Sequence, residues 1–187
     1  MHTQADPTTA AAPADSGIAL HTFGRRDRPP LLLIHGIGMG HRLWLRQIDE
    51  FSATHFVIAP DLAGLTSPAR DVPIDIALVA QSLAKALRSL GAVELSVCAI
   101  SAGASVALGL ALLGNVRIRR LMLSAPQARA PRIALGLQIA ICAAIPESAL
   151  VKAAVKAIGG GPDIAAAAAE DHRALGKRGL LGAMAAL

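Results

Sequence analysis

The stretch Leu95-Ser96-Val97-Cys98-Ala99-Ile100-Ser101-Ala102-Gly103-Ala104-Ser105-Val106-Ala107-Leu108 joins an apolar strand to an apolar helix at a serine. This is the layout of a nucleophile elbow, whose usual form is G-x-S-x-G. The spacing has a steric cause. To expose its Oγ at the top of a sheet, the serine must occupy a strained strand-to-helix turn, where large side chains two residues before or after it would collide. Ala99 and Gly103 hold those two places, so both are small, although one glycine has become alanine. Small residues between a strand and a helix also serve plain packing, so the rest of the chain decides what the serine means.

Upstream, Ile18 to Phe23 reads as a short strand and Leu31 to His35 as an apolar run of the kind a strand buried on both faces requires. Gly36, Gly38 and Gly40 then space a loop. From His41 to about Ala53 the pattern turns helical, with Trp44, Ile48 and Phe51 on one face. Phe56 to Ala59 is a further buried strand, running into Pro60-Asp61. Ile76, Val79, Ala80, Leu83, Leu87 and Leu90 recur at helical spacing before Gly91 stops them. Downstream of the serine come a helix from Ala102 to Leu113 and a strand from Leu121 to Ser124. From Pro131 onward only helical texture is found: Ile133 to Ile145, Glu147 to Ile158, a break at 159–162, an alanine-rich helix to about Leu175 and a last helix from Lys177. Strands alternating with helices specify an α/β fold with a mostly parallel sheet and flanking helices. The expected organisation is an unstructured leader over residues 1–16, a core over 17–130 and a helical, cap-like segment over 131–187.

Composition narrows the function classes. A chain of 187 residues with 53% hydrophobic residues can bury a sizeable core. The leader lacks a basic start and an apolar run, so it does not read as a signal peptide, and a cytoplasmic location is expected. No stretch reaches the roughly 18 to 20 apolar residues that a membrane span needs. The net charge of +5 is carried by short scattered groups such as Arg117, Arg119 and Arg120 with no interleaved aromatics, which argues against nucleic-acid binding. Cys98 and Cys142 each lie in an apolar run and read as buried thiols rather than a disulfide. Six histidines are spread along the chain without an H-E-x-x-H pattern, so neither a metal site nor a cofactor is expected.

Taken in order, the chain presents a strand, His35-Gly36, a glycine loop, Trp44 on a helix, a strand, Asp61-Leu62-Ala63-Gly64, a helix, a strand, the Ser101 elbow, a helix, a strand and a helical segment. This order resembles the α/β-hydrolase superfamily, in particular its cap-bearing serine hydrolases, over roughly residues 18 to 126. The resemblance implies nucleophilic acyl transfer. Ser101 would attack, and the backbone N–H groups of Ala102 and Ile37 would hold the oxyanion, with Gly36 and Gly38 letting that loop approach the substrate. His35 precedes the nucleophile and the resemblance makes it structural, as it does Asp61. Trp44 reads as core.

Departures stand beside the matches. Thr66 and Pro68 replace the second glycine and the serine of the family's D-x-x-G-x-G-x-S pattern. The seventh and eighth strands, which carry the family's acid and histidine, are not recognisable, so the chain reads as C-terminally truncated. Ser101, Asp163 and His172 satisfy the order Ser, acid, His, yet Glu170-Asp171-His172-Arg173 reads as a solvated helix face. Two functions follow as expectations. One is a serine-nucleophile hydrolase of a small apolar ester, thioester, lactone or related acyl substrate, the serine excluding the aspartate-nucleophile branch. The other is a degenerate fragment without independent catalysis, a binding or interaction module whose exposed sheet edge at Leu121 to Ser124 invites self-association.

Overall fold

Alternation within the central strands decides which helices cover which face of the sheet. In the computed structural model, which describes residues 8–10, 18–66, 75–126, 132–159 and 161–185, six strands form one sheet in the order β1-β2-β4-β3-β5-β6. These are β1 Thr8–Ala10, β2 Ile18–Phe23, β3 Pro30–Ile34, β4 Phe56–Leu62, β5 Glu94–Ile100 and β6 Arg117–Ser124. β3 pairs in parallel with β4 and β5, and β5 with β6, while β2 runs antiparallel to β1 and β4. The sheet is mixed and mostly parallel, as expected for this fold class.

Leu32 and Ile34 of β3, Ile58 of β4 and Val97 and Ala99 of β5 pack with helices α2 (Ile76–Leu90) and α3 (Ala102–Leu113). Their neighbours Leu33, Val57 and Ala59 point the other way, against Trp44 and Ile48. Trp44 ends a short 3-10 turn, His41–Trp44, and Ile48 lies on α1 (Leu45–Phe51). With both faces covered, β3 and β4 need apolar residues at every position, which is why they are continuous runs. Asp75 caps α2 by accepting the N–H groups of Ala77 and Leu78, and Gly91 ends it at φ 83°.

Three elements depart from the sequence reading. Residues 8–10 are strand, inside the stretch expected to be an unstructured leader; the pairing uses backbone alone, which composition does not reveal. β4 runs on through Pro60 to Leu62. Its ladder with β3 covers only Phe56–Ile58, so beyond that it pairs with β2 alone, where a residue lacking N–H is tolerated. β6 starts at Arg117 rather than Leu121, because an edge strand can carry the arginines that interrupt the apolar pattern.

The C-terminal segment is helical: α4 (Arg132–Ala144), α5 (Glu147–Ile158) and α6 (Pro162–Ala185), the last kinked at Gly176. α6 packs on α4, on α5 and on the His41–Trp44 turn. The expected boundary between core and cap-like segment, at residues 130 and 131, lies outside the described residues, as do Pro68 and most of the leader. Among the described residues, no helix is long and apolar enough to cross a membrane.

Candidate active site

Ser101 adopts φ 55° and ψ −125°, a left-handed conformation that a residue with a Cβ enters only at a cost of about 1–3 kcal/mol. Two contacts hold it there. The Ser101 N–H donates to the carbonyl of Ser124 at the end of β6, 2.9 Å away. Two residues on, a Cβ at Gly103 would lie 2.3 Å from the His35 carbonyl oxygen and 2.8 Å from that of Ile34. Only glycine lets α3 start this close to the end of β3. Ala99, on the other side of the serine, is fully buried and its methyl group fits, so the alanine departure is sterically harmless.

The glycine loop after β3 lies against the same serine. A Cβ at Gly36 would sit 3.2 Å from Ser101 Cβ and 3.8 Å from its Oγ. Gly38 turns at φ 73° and its N–H donates to the Leu65 carbonyl at 2.7 Å, while Ile37 between them is half-buried. No described group accepts from the Ile37 N–H. Ala102 is the first residue of α3, so its N–H has no acceptor within the helix and sits where the helix dipole favours negative charge. Ser101 is half-buried, and among the described residues no carboxylate or imidazole hydrogen-bonds its Oγ.

His35 is wholly buried. Its Nδ1 donates to the Gly36 carbonyl at 2.8 Å, and its Nε2 accepts the Leu62 N–H at 3.1 Å. That pattern fixes a neutral tautomer, and burial holds its pKa below the ordinary value of 6.5. The ring staples the glycine loop to the end of β4 and has no nitrogen left for proton transfer. Thr66, which replaces a family glycine, lies 3.1 Å from His35 Nε2 and donates its hydroxyl to the Met39 carbonyl at 3.0 Å. The departure thus adds a tie across the loop.

The segment 170–173 is a solvated helix face only in part: Glu170 and Arg173 are exposed, while Asp171 and His172 pack on the glycine loop. Asp171 is 7% exposed, and its carboxylate accepts the Gly40 N–H at 2.8 Å and an Arg42 N–H at 2.5 Å. His172 is half-buried, and its Nδ1 donates to the Gly38 carbonyl at 2.7 Å. Arg42 also meets Glu170 at 2.7 Å. These contacts join residues about 130 positions apart, a pairing that helical periodicity cannot signal. Asp163, the acid that chain order would pair with His172, is exposed at the start of α6.

A second cluster was also invisible to sequence spacing. Asp61 accepts from His21 Nε2 at 2.9 Å, from the His41 backbone N–H at 2.6 Å and from His41 Nδ1 at 3.0 Å. The two imidazoles stack, with centroids 3.6 Å apart. Burial alone would raise the Asp61 carboxyl, but the hydrogen bonds from His21 and His41 outweigh it and hold the group far below the usual carboxylate range. Asp61 therefore ties β2, β4 and the 3-10 turn together, the organising role that the resemblance implies. Trp44 is core, 8% exposed. Cys98 and Cys142 are free thiols and half-buried rather than buried, and partial burial pushes the Cys98 thiol up.

Comparison with known proteins places this geometry. A profile described as the alpha/beta hydrolase fold matches residues 29–141, more than half of the 187-residue chain. The chain is 43% identical over 44 residues to an (E)-2-((N-methylformamido)methylene)succinate hydrolase of Acinetobacter baylyi, a match covering 24% of this chain and 17% of that protein. It is 37% identical over 92 residues to the magnesium-chelatase 30 kDa subunit of Rhodobacter capsulatus, covering 48% of this chain and 32% of that one. The matched stretches thus span less than a third of the length of these curated relatives. Among solved structures, a hydrolase from Pseudomonas aeruginosa superposes with a TM-score of 0.75 at 22% identity, over 97% of this chain and 72% of that one. The strand order, the strained serine at the end of β5 and the profile match agree, and the chain belongs to the α/β-hydrolase fold family.

Proposed function

We propose that Ser101 is the nucleophile of a hydrolase acting on a small apolar ester, thioester, lactone or related acyl substrate. The observation that carries this reading is the φ of 55° at Ser101. A strained non-glycine residue between a buried strand and a helix needs a reason to persist, and exposing a hydroxyl is that reason. In the acyl-transfer step, Oγ bonds to the substrate carbonyl carbon and its proton passes to a base. The carbonyl oxygen becomes an oxyanion facing the N–H groups of Ile37 and Ala102, and the leaving alcohol, thiol or enol departs with a proton. Each oxyanion donor is worth about 3–4 kcal/mol in the transition state. The apolar residues of the C-terminal helices suit a substrate with little charge.

The second reading is an interaction module on a hydrolase fold, associating through the edge of β6. It is favoured by one observation: no described acid or base hydrogen-bonds Ser101 Oγ. Turnover of short-chain nitrophenyl esters and simple lactones by the purified chain separates the two. The first reading expects hydrolysis that Ser101→Ala reduces to background. Equal, residual rates in both proteins support the second.

A further inference from the structure

His21 on β2, His41 at the start of the 3-10 turn and Asp61 on β4 each offer one ligand atom, and the three atoms lie within 4.8 Å of one another. His21 Nε2 and His41 Nδ1 approach the same oxygen, Asp61 Oδ2, at 2.9 and 3.0 Å. Ligands bound to a tetrahedral ion at about 2.0–2.2 Å lie about 3.3 Å apart, so these two edges open by a few tenths of an ångström on binding, and the two stacked rings turn out of their 3.6 Å stack so that each nitrogen's in-plane lone pair points at the ion. The other carboxylate oxygen, Oδ1, is held at 2.6 Å by the His41 backbone N–H, which fixes the carboxylate plane and leaves Oδ2 for an ion.

The three side chains are 15%, 18% and 26% exposed, so solvent can fill the remaining coordination positions. Two neutral imidazoles and one carboxylate carry a single negative charge, matched to a dication. Their backbones belong to two paired strands and the turn docked on them, so the three side chains are brought together before anything binds and only the rings have to turn.

We propose that His21, His41 and Asp61 form a site for a divalent transition-metal ion of the zinc type, with water completing the shell. On binding, each neutral ring moves its proton through solvent to the nitrogen facing away, and two N–metal bonds and one O–metal bond replace the hydrogen bonds to Oδ2. The site is separate from the Ser101 elbow and stands whether or not the serine is catalytic. It adjoins the glycine loop, since a Cβ at Gly40 would lie 2.7 Å from Asp61 Oδ1. Loading it would therefore brace the end of that loop.

Calorimetric titration of Zn2+ into the chelator-stripped 187-residue chain tests the site. One ion per chain is expected, with micromolar or tighter affinity, and a hundredfold excess over Kd should raise Tm by at least about 5 °C. Co2+ should give the visible absorption bands of a nitrogen- and oxygen-ligated ion. His21→Gln and His41→Gln should each weaken Zn2+ by more than tenfold with an unchanged circular dichroism spectrum, whereas His55→Gln and His172→Gln should not. If His41→Gln fails to fold, His21→Gln carries the test. The proposal is overturned if the wild type binds no stoichiometric ion, if folded His21→Gln binds as the wild type does, or if His55→Gln or His172→Gln alone abolishes binding.

Discussion

At the scale of single residues, the elbow is a place where stability and function pull apart. Ser101 holds a backbone conformation that glycine adopts freely, and alanine does not relieve it. Ser101→Gly should therefore be more stable than Ser101→Ala by about 1 kcal/mol or more in urea unfolding, although both remove the hydroxyl. Equal stabilities would mean that the strain is not stored at this residue. This site was legible because it is local: Ala99, Ser101 and Gly103 are close neighbours in sequence, and sterics alone ties their sizes to one turn. The His21, His41 and Asp61 cluster was not, because its members are spaced by 20 and 20 positions and meet only once β2 and β4 pair.

At the scale of elements, α6 is held to the glycine loop by polar contacts at its middle. Asp171 is the centre of them, since it satisfies the Gly40 N–H and pairs with Arg42. Removing it leaves a buried N–H without its acceptor and a guanidinium without its partner. Asp171→Ala should lower unfolding stability by about 2–3 kcal/mol, while Glu170→Ala, whose side chain is 61% exposed, should change it by less than about 1 kcal/mol. Comparable effects would contradict this division. The elements themselves could be read from the chain, because continuous apolar runs and helical spacing are written into consecutive residues such as Leu31 to Ile34 and Ile76 to Leu90. What α6 leans on could not, since Glu170 to Arg173 looks the same in sequence whether it faces water or Gly38. The start of β6 was hidden for the opposite reason: Arg117, Arg119 and Arg120 mask a strand that pairs with β5 from Arg117 onward, with a bulge in the register at Arg119.

For the whole molecule, two consequences follow from what is buried and what is left open. His35 is buried neutral with its pKa depressed, so the unfolded chain binds a proton that the folded one refuses once the pH drops below about 6.5. The stability from its neutral hydrogen bonds is full above that pH and falls as the pH falls. Asp61, also depressed, adds a second loss below its ordinary value of 3.8. Urea midpoints should accordingly decline from pH 7.5 to 5.5 and more steeply below 4, and a midpoint that rises on acidification would contradict the assignment. β6 is the other consequence. Among the described residues it pairs only with β5, and Met122 and Leu121 are 67% and 39% exposed. An open apolar edge recruits another strand. Light scattering should show mass rising with concentration, and Met122→Lys should reduce that rise; a concentration-independent monomer would contradict edge association.

The central claim is that Ser101 is a nucleophile, and covalent labelling tests it without knowledge of the substrate. A fluorophosphonate probe incubated with the purified chain should add one probe mass, mapped by peptide sequencing to Ser101, and Ser101→Ala should take up none. Labelling that persists in Ser101→Ala, or a folded wild type that takes up no probe, would contradict it.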